Sequence, residues 1–492
     1  MTAVLRMIPR AGIDWKRWMA LVVVCVGQLM IMVDGSIVNV ALPSIQGDLR
    51  FSPANLTWIV NAYLITYGGL VLLAGRAGDL IGRKKVFLTG VVVFTLASLL
   101  CGLAQDELTL VAARFAQGAG AALSAGVVIA IIVTSFVEPG ERARAMSVFT
   151  FVAAGGGSLG LLAGGALIQS INWHWIFFIN LPIGMATLLF GAILIEENEG
   201  LGIERGIDAW GSVLVTAALM VGAYAIVTAG QYGWTSPHTL GFGCAALGLL
   251  AAFFTLEARH QNPILPLRML RIRSLTGASS ARGMLAVGLF TTFFLGALYL
   301  QHVGGYTALQ TGLAFLPTTL AMAVMSFGIT ARLMQRFGPR RLLGFGLLTV
   351  IAALLLMSGV GDHTAYFPRL FIAYVLIGLG GGASFMPLTI IAMAEVPRAD
   401  SGLAAGISNV TMQNSAALGL AVIGTIATGQ THFLLARGDS LAGALAGGYQ
   451  LGFNITAACV LAGFLIVIFG LRPARTVEIV DSEEDRGLEQ AA

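Results

Sequence analysis

The chain has 492 residues, of which 57% are hydrophobic and only 11% charged, with a net charge of +4. Soluble domains carry about 25% charged residues, so this composition excludes an ordinary globular fold in water. No Gly-x-x-x-x-Gly-Lys-Ser/Thr loop occurs, the six histidines are scattered without an HExxH motif, and the four cysteines form no CxxC, so P-loop hydrolysis, a zinc hydrolase and a thiol metal site are all argued against.

A helix needs about 20 apolar residues to cross a bilayer, because its backbone must bond internally there. In chain order such segments are expected at about 18–40, 56–74, 86–104, 109–133, 143–168, 175–195, 208–229, 239–257, 281–301, 309–331, 341–359, 366–388, 404–427 and 449–471. That makes fourteen spans, the fifth and sixth nearly fused through Ile171–Trp175. The first run is too long for a signal-peptide core and lacks a small-residue cleavage site, so it reads as a retained span. Cys25, Cys101, Cys244 and Cys459 fall inside apolar segments and read as packing residues.

An even number of spans puts both termini on one side. Arg6, Arg10, Lys16, Arg17, Arg76, Arg83, Lys84, Lys85, Arg142, Arg144, Arg259, Arg268, Arg271, Arg273, Arg332, Arg336, Arg340 and Arg341 all gather there, against Arg50, Arg369 and Arg437 opposite. The bias predicts cytoplasmic termini and a multi-pass protein of the cell membrane. It also assigns the excess charge to anionic lipid headgroups rather than nucleic acid.

An internal repeat is legible. Gly82-Arg83-Lys84-Lys85 follows the second span and Gly338-Pro339-Arg340-Arg341 the tenth; Gly118-Ala119-Gly120 corresponds to Gly378-Leu379-Gly380. The offset is about 260 residues in both cases. Two six-helix halves related in this way mark a secondary transporter with its site between them. The expected divisions are a cytoplasmic N-terminus (1–17), a first half (18–200), two inserted helices (201–260), a second half (261–475) and an acidic, disordered tail (476–492). Glu196, Glu197, Glu199 and Glu204 precede the insertion and Arg259–Arg273 follow it, as linkers.

Four motifs carry chemistry. In VDGSIVNVALP (Val33 to Pro43), Asp34 is the acid placed well inside a span. Such a charge costs about 2.5–3.5 kcal/mol on insertion scales and must be paired or neutralised. Burial of a carboxylate also makes proton exchange near neutrality feasible. In RFAQGAGAAL (Arg114 to Leu123), Arg114 lies about 9 Å from the outer end of its span, and Asp34 about 13 Å below Pro43, at about 1.5 Å per residue. The two are therefore expected at similar depth, with Arg114 setting the charge state of Asp34. GRAGDLIGRKKV (Gly75 to Val86) combines a glycine turn, one carboxylate and a basic triplet. GLLAGG (Gly160 to Gly165) offers small residues for close helix approach.

These runs resemble the major facilitator superfamily, and in particular its fourteen-span drug:proton antiporter-2 family. WHWIFFINLPIG (Trp173 to Gly184), IDAWG (Ile207 to Gly211), PILPLRML (Pro263 to Leu270), YLQHVGGYTALQTGLAFLP (Tyr299 to Pro317) and SGLAAGISN (Ser401 to Asn409) extend the resemblance over nearly the whole chain. It implies an all-α membrane protein with the major-facilitator fold: two six-helix halves plus two inserted central helices. It implies a conformational gate at Gly75, Asp79, Gly82, Arg83 and Lys84, and a packing or antiport element at Gln117, Gly118, Gly160, Gly164 and Gly165. Three departures from the family pattern stand out: Leu80 in place of Arg after the gate Asp, Leu161 in place of the antiporter Pro, and His174 in place of Arg. His174 reads as an interfacial residue among tryptophans.

The implied activity is export of drugs, dyes or antibiotics in exchange for protons, without a cofactor and by a monomer. Gln28, Asn39, Tyr63, Gln301, Asn409 and Gln413 are candidate polar contributors to an otherwise apolar, lipophilic cavity. One deep acid disfavours dications, so monovalent cations or neutral lipophiles are the expected cargo. The alternatives are a dedicated exporter of an endogenous metabolite, lipid or self-made antibiotic, a proton symporter and, least supported, a membrane enzyme.

Overall fold

The computed structural model describes residues 15–470 except 53–54, 137, 198–199, 201–208, 260–262, 264, 266–267, 363 and 398–400. Arg6, Arg10, Glu199, Glu204 and the tail 476–492 lie outside the described residues. Among those described, every regular element is helical and none is a strand.

The helices are α1 (Trp15–Leu49), α2 (Trp58–Ile81), α3 (Arg83–Gly102), α4 (Glu107–Ser135) and α5 (Pro139–Ser170). They continue with α6 (Trp175–Leu194), α7 (Ala209–Tyr232), α8 (Pro237–Arg259) and α9 (Arg273–Val303). The last are α10 (Ala308–Val324, prolonged through a π turn to Thr330–Phe337), α11 (Pro339–Met357), α12 (Tyr366–Met393), α13 (Ser401–Ala436) and α14 (Leu441–Gly470). Among the described residues ten helices are long and apolar enough to cross a membrane, or eleven if the bent Asn55–Ile81 stretch is one span. This is fewer than the fourteen expected. The apolar windows of three helices, Leu159–Ser170, Val213–Ala229 and Ala308–Val324, are shorter. Charged residues open α5, and a π turn at Met325–Ile329 interrupts the helix that α10 begins.

Local chemistry sets the ends. Asp106 caps α4 by accepting from the Thr109 N–H at 2.8 Å. Thr109, through its hydroxyl and then its N–H, holds the Asp106 carboxyl below its ordinary range. Between α2 and α3 the chain turns at Gly82 with φ 107°, and between the α10 continuation and α11 it turns at Gly338 with φ 80°. Both conformations favour glycine. The internal repeat seen in the sequence thus recurs in backbone geometry.

Packing repeats it as well. A Cβ on Gly118 would meet the Tyr63 carbonyl oxygen at 2.4 Å, and one on Gly378 would meet that of Thr318 at 2.1 Å. A Cβ on Gly120 would meet the Phe94 nitrogen at 2.4 Å, and one on Gly380 the Gly346 oxygen at 2.6 Å. Missing side chains let α4 sink onto α2 and α3, and α12 onto α10 and α11, as small residues do in membranes. Outward-facing apolar side chains such as Leu96, Leu100, Leu189, Ile193 and Leu247 are exposed, as a lipid solvent requires.

α7 and α8 pack on each other, and α7 also lies along α2 and α13. A Cβ on Gly69 of α2 would meet the Thr216 hydroxyl of α7 at 2.1 Å, and Val227 of α7 clusters with Ala421 of α13. Cys25 and Cys101 are buried, in line with packing roles, but Cys244 on α8 is exposed and packs into no core.

Candidate functional site

Asp34 on α1 and Arg114 on α4 meet in the interior. Arg114 Nη1 donates to Asp34 Oδ2 at 2.6 Å, and the residues are 1% and 0% exposed. Gln117, one helical turn beyond Arg114, donates through Nε2 to Asp34 Oδ1 at 2.7 Å. Asn180 at the start of the long part of α6 donates through Nδ2 to the same oxygen at 2.9 Å. Three donors on one carboxylate match its ionised form, which accepts only. The guanidinium is equally occupied. Its Nε donates to the Ile59 carbonyl at 2.9 Å, its Nη1 also donates to Gln117 Oε1 at 2.6 Å, and the Tyr63 ring lies under its carbon at 4.4 Å.

Ser98 ties the donors to each other. Ser98 on α3 accepts from Gln117 at 2.8 Å and from Asn180 at 3.3 Å, and donates to the Phe94 carbonyl. Asn180 and Ser98 were not among the residues expected from sequence. Asn180 lies inside the Trp173–Gly184 run, which was the available signal; Ser98 has none. Gln117, expected as a packing residue, instead bridges the acid, the base and Ser98.

The other expected residues are placed as follows. Tyr63 belongs to the charge site, not to a separate lining. Asn39 donates back to the Gly35 and Ser36 carbonyls of its own helix. Gln28 is buried on α1. Asn409 is hydrogen-bonded to Tyr67, while Gln413 has a buried Oε1 without a partner. Gln301 on α9 donates to the Val40 carbonyl of α1 at 3.0 Å. These six therefore do not form one cluster. At the gate, Asp79 pairs with Arg83 one turn on at 2.9 Å, Arg83 also reaches the Ala130 carbonyl, and Lys84 donates to the Ala192 carbonyl at 2.8 Å. Those partners all come from α2, α4 and α6. Gly75 faces the Gly126 carbonyl of α4. His174 stacks on Trp173 with ring centroids 3.8 Å apart and stands 3.7 Å from Asp48, beside a cavity of about 470 Å³ that also touches Gly102 and Gln105.

At the end of the bundle remote from Gly82 and Gly338, α1 and α5 are pressed against α9 and α10. Gln301 bridges to Val40 there. A Cβ on Gly165 would meet the Leu309 Cα at 2.7 Å, and one on Gly312 the Leu161 carbonyl oxygen at 2.6 Å. Gly160 and Gly164 seat α5 on α1, at Val33 and Ile37. Gly165→Leu is therefore expected to force this end open. The check is labelling of a cysteine placed at Val40, buried here, in a background lacking the four native cysteines. The reagent should react several-fold faster in the Gly165→Leu protein, and equal rates would refute the packing argument.

The comparisons agree with this architecture. The Major Facilitator Superfamily profile matches residues 24–421 and 281–489. The puromycin resistance protein pur8 of Streptomyces alboniger is 37% identical over 92% of this chain and 90% of its own length. The cephamycin export protein CmcT of Amycolatopsis lactamdurans is 35% identical over 83% and 84%, and the tetracenomycin C resistance and export protein of Streptomyces glaucescens 31% over 85% and 77%. Among solved structures, an inward-facing bacterial homolog of the human lysosomal transporter Spinster has a TM-score of 0.66 at 16% identity, over 93% of this chain and 98% of that one. An auto-inhibited POT family peptide transporter has a TM-score of 0.67 at 15% identity, over 94% and 98%. This multi-pass, all-helical chain belongs to the major facilitator superfamily, and its relatives include antibiotic resistance and export proteins.

Proposed function

We propose that this protein exports amphiphilic organic compounds of the drug, dye or antibiotic kind across the cell membrane in exchange for protons. The observation that carries the reading is the sealed Asp34–Arg114–Gln117–Asn180 network. Helices that only pack have no need of a buried ion pair, whose desolvation is expensive. In this reading the fourteen helices span the membrane as two six-helix halves, α1–α6 and α9–α14, with α7 and α8 inserted beside the α2–α13 seam. Both termini and the Gly82 and Gly338 turns are cytoplasmic. The apposed end is then extracellular.

Protonation of Asp34 removes the charge that Arg114, Gln117 and Asn180 hold together. Arg114 then relaxes towards Ile59 and Tyr63, and the halves are free to rock. Loss of the proton to the cytoplasm restores the network and the present state. Asp79 and Arg83, paired within one half here, exchange partners across the halves in the alternate state. The name of the cephamycin export relative favours a second reading, a dedicated exporter of one self-made compound.

The test uses energised inverted membrane vesicles with rhodamine 6G and sulforhodamine B, xanthene dyes of opposite net charge. Uptake that collapses with a protonophore supports proton-coupled export. Uptake insensitive to the protonophore contradicts it. No uptake of either dye, with no resistance in cells, favours the dedicated exporter.

A further inference from the structure

The C-terminal six helices hold a charge that the coupling network does not use. Arg282 lies on α9, nine residues beyond Arg273, or about 14 Å into the bundle from the Gly338 end. Its side chain is half-buried, its Nε is buried with no hydrogen-bond partner, and among the described residues it has no ion pair. Its guanidinium carbon lies over the ring of Phe385 on α12, 5.7 Å from the ring centroid. None of the helices α9 to α14 contains an Asp or a Glu.

The orientation has a local cause. The residue after Arg282, Gly283, lies so close to α13 that a Cβ would meet the Ser415 hydroxyl at 2.4 Å. Ser279 and Ser408 join the same two helices through a 2.7 Å hydrogen bond. With α9 fastened to α13 by that face, Arg282 is turned about 100° away, towards α12. A guanidinium at this depth is too costly to face lipid and must face the bundle interior or a hydrated cavity. An uncompensated cation of this kind has five N–H donors, and none of the described residues receives them in a hydrogen bond or ion pair.

We propose that Arg282 and Phe385 form a binding site for the acidic group and adjoining ring of an amphiphilic organic anion. The guanidinium takes a carboxylate, sulfonate or phenolate, and Phe385 packs on the attached apolar body. This rests on the export reading and deepens it by naming the charge of the cargo. It departs from the cationic or neutral cargo expected from sequence, because the one deep acid, Asp34, is wholly occupied by Arg114, Gln117 and Asn180 and is closed to a bound cation.

The experiment measures equilibrium binding to the full-length protein in nanodiscs, by fluorescence polarisation, of sulforhodamine B and rhodamine 6G. Wild type should bind the anionic dye more tightly. Arg282→Gln should weaken that binding by at least about tenfold, the scale of one charge-assisted hydrogen bond, and leave rhodamine 6G unchanged or improved. Arg282→Lys should retain most of the affinity as a point charge, and it serves if the Gln variant does not fold. Equal or tighter binding of rhodamine 6G by wild type, absence of sulforhodamine B binding, or unchanged binding in Arg282→Gln would overturn the proposal. Vesicle uptake judges the export reading separately. Binding of the anion without uptake leaves the site standing and removes the export function.

Discussion

Asp34→Asn is expected to abolish uphill export while the protein still folds and inserts. The amide is nearly isosteric, keeps one acceptor oxygen and leaves Arg114 its bonds to Ile59 and Gln117. It cannot, however, exchange a proton in the physiological range. Energised inverted vesicles containing the variant should lose protonophore-sensitive dye accumulation to the level of vesicles without the protein. Exchange of dye across unenergised membranes should persist, since the substitution leaves the helix packing around the network intact. Loss of both activities, with a normal thermal melt, would assign Asp34 a role in binding instead of coupling.

Arg114→Ala should have the largest effect on stability. Removing one member of a buried ion pair leaves the other charge uncompensated and costs about 3–5 kcal/mol. Here Asp34 would keep Gln117 and Asn180 but lose its counter-charge, and Gln117 Oε1 would keep only the Cys101 thiol as a weak donor at 3.6 Å. The thermal midpoint of the purified protein should fall by several degrees. The double variant Asp34→Asn, Arg114→Ala should recover part of that loss, because no bare charge remains. A double variant no more stable than Arg114→Ala would mean that Arg114 acts through its packing on Tyr63 and Phe177 and not through Asp34.

Charge made part of this legible in the sequence. An Asp and an Arg inside apolar segments have few places to go, so their meeting could be inferred from depth alone. Neutral polar residues give no such constraint. Asn180 meets Asp34 across 146 positions and Ser98 across 82, and nothing in their neighbours distinguishes them from the many Ser, Thr and Asn that bond within their own helix. Ser36 and Asn39, in the same motif as Asp34, do just that. Arg282 was missed for another reason. The apolar window begins near 281, which put this residue at the membrane edge, whereas the helix begins at Arg273. Hydropathy marks where a segment is apolar, but backbone hydrogen bonding decides where its helix starts. The same gap between apolarity and helix length leaves ten or eleven qualifying spans among the described residues where fourteen were counted.

The most direct test of the account is proton movement driven by cargo. Proteoliposomes would be loaded with the dye that the vesicles accumulate, diluted into dye-free buffer of equal pH, and followed with a trapped pH indicator. Dye leaving down its gradient should draw protons inward and acidify the lumen in wild type. In Asp34→Asn the lumenal pH should stay at the level of protein-free liposomes. Acidification of equal size in the variant would contradict the assignment of Asp34 as the coupling group.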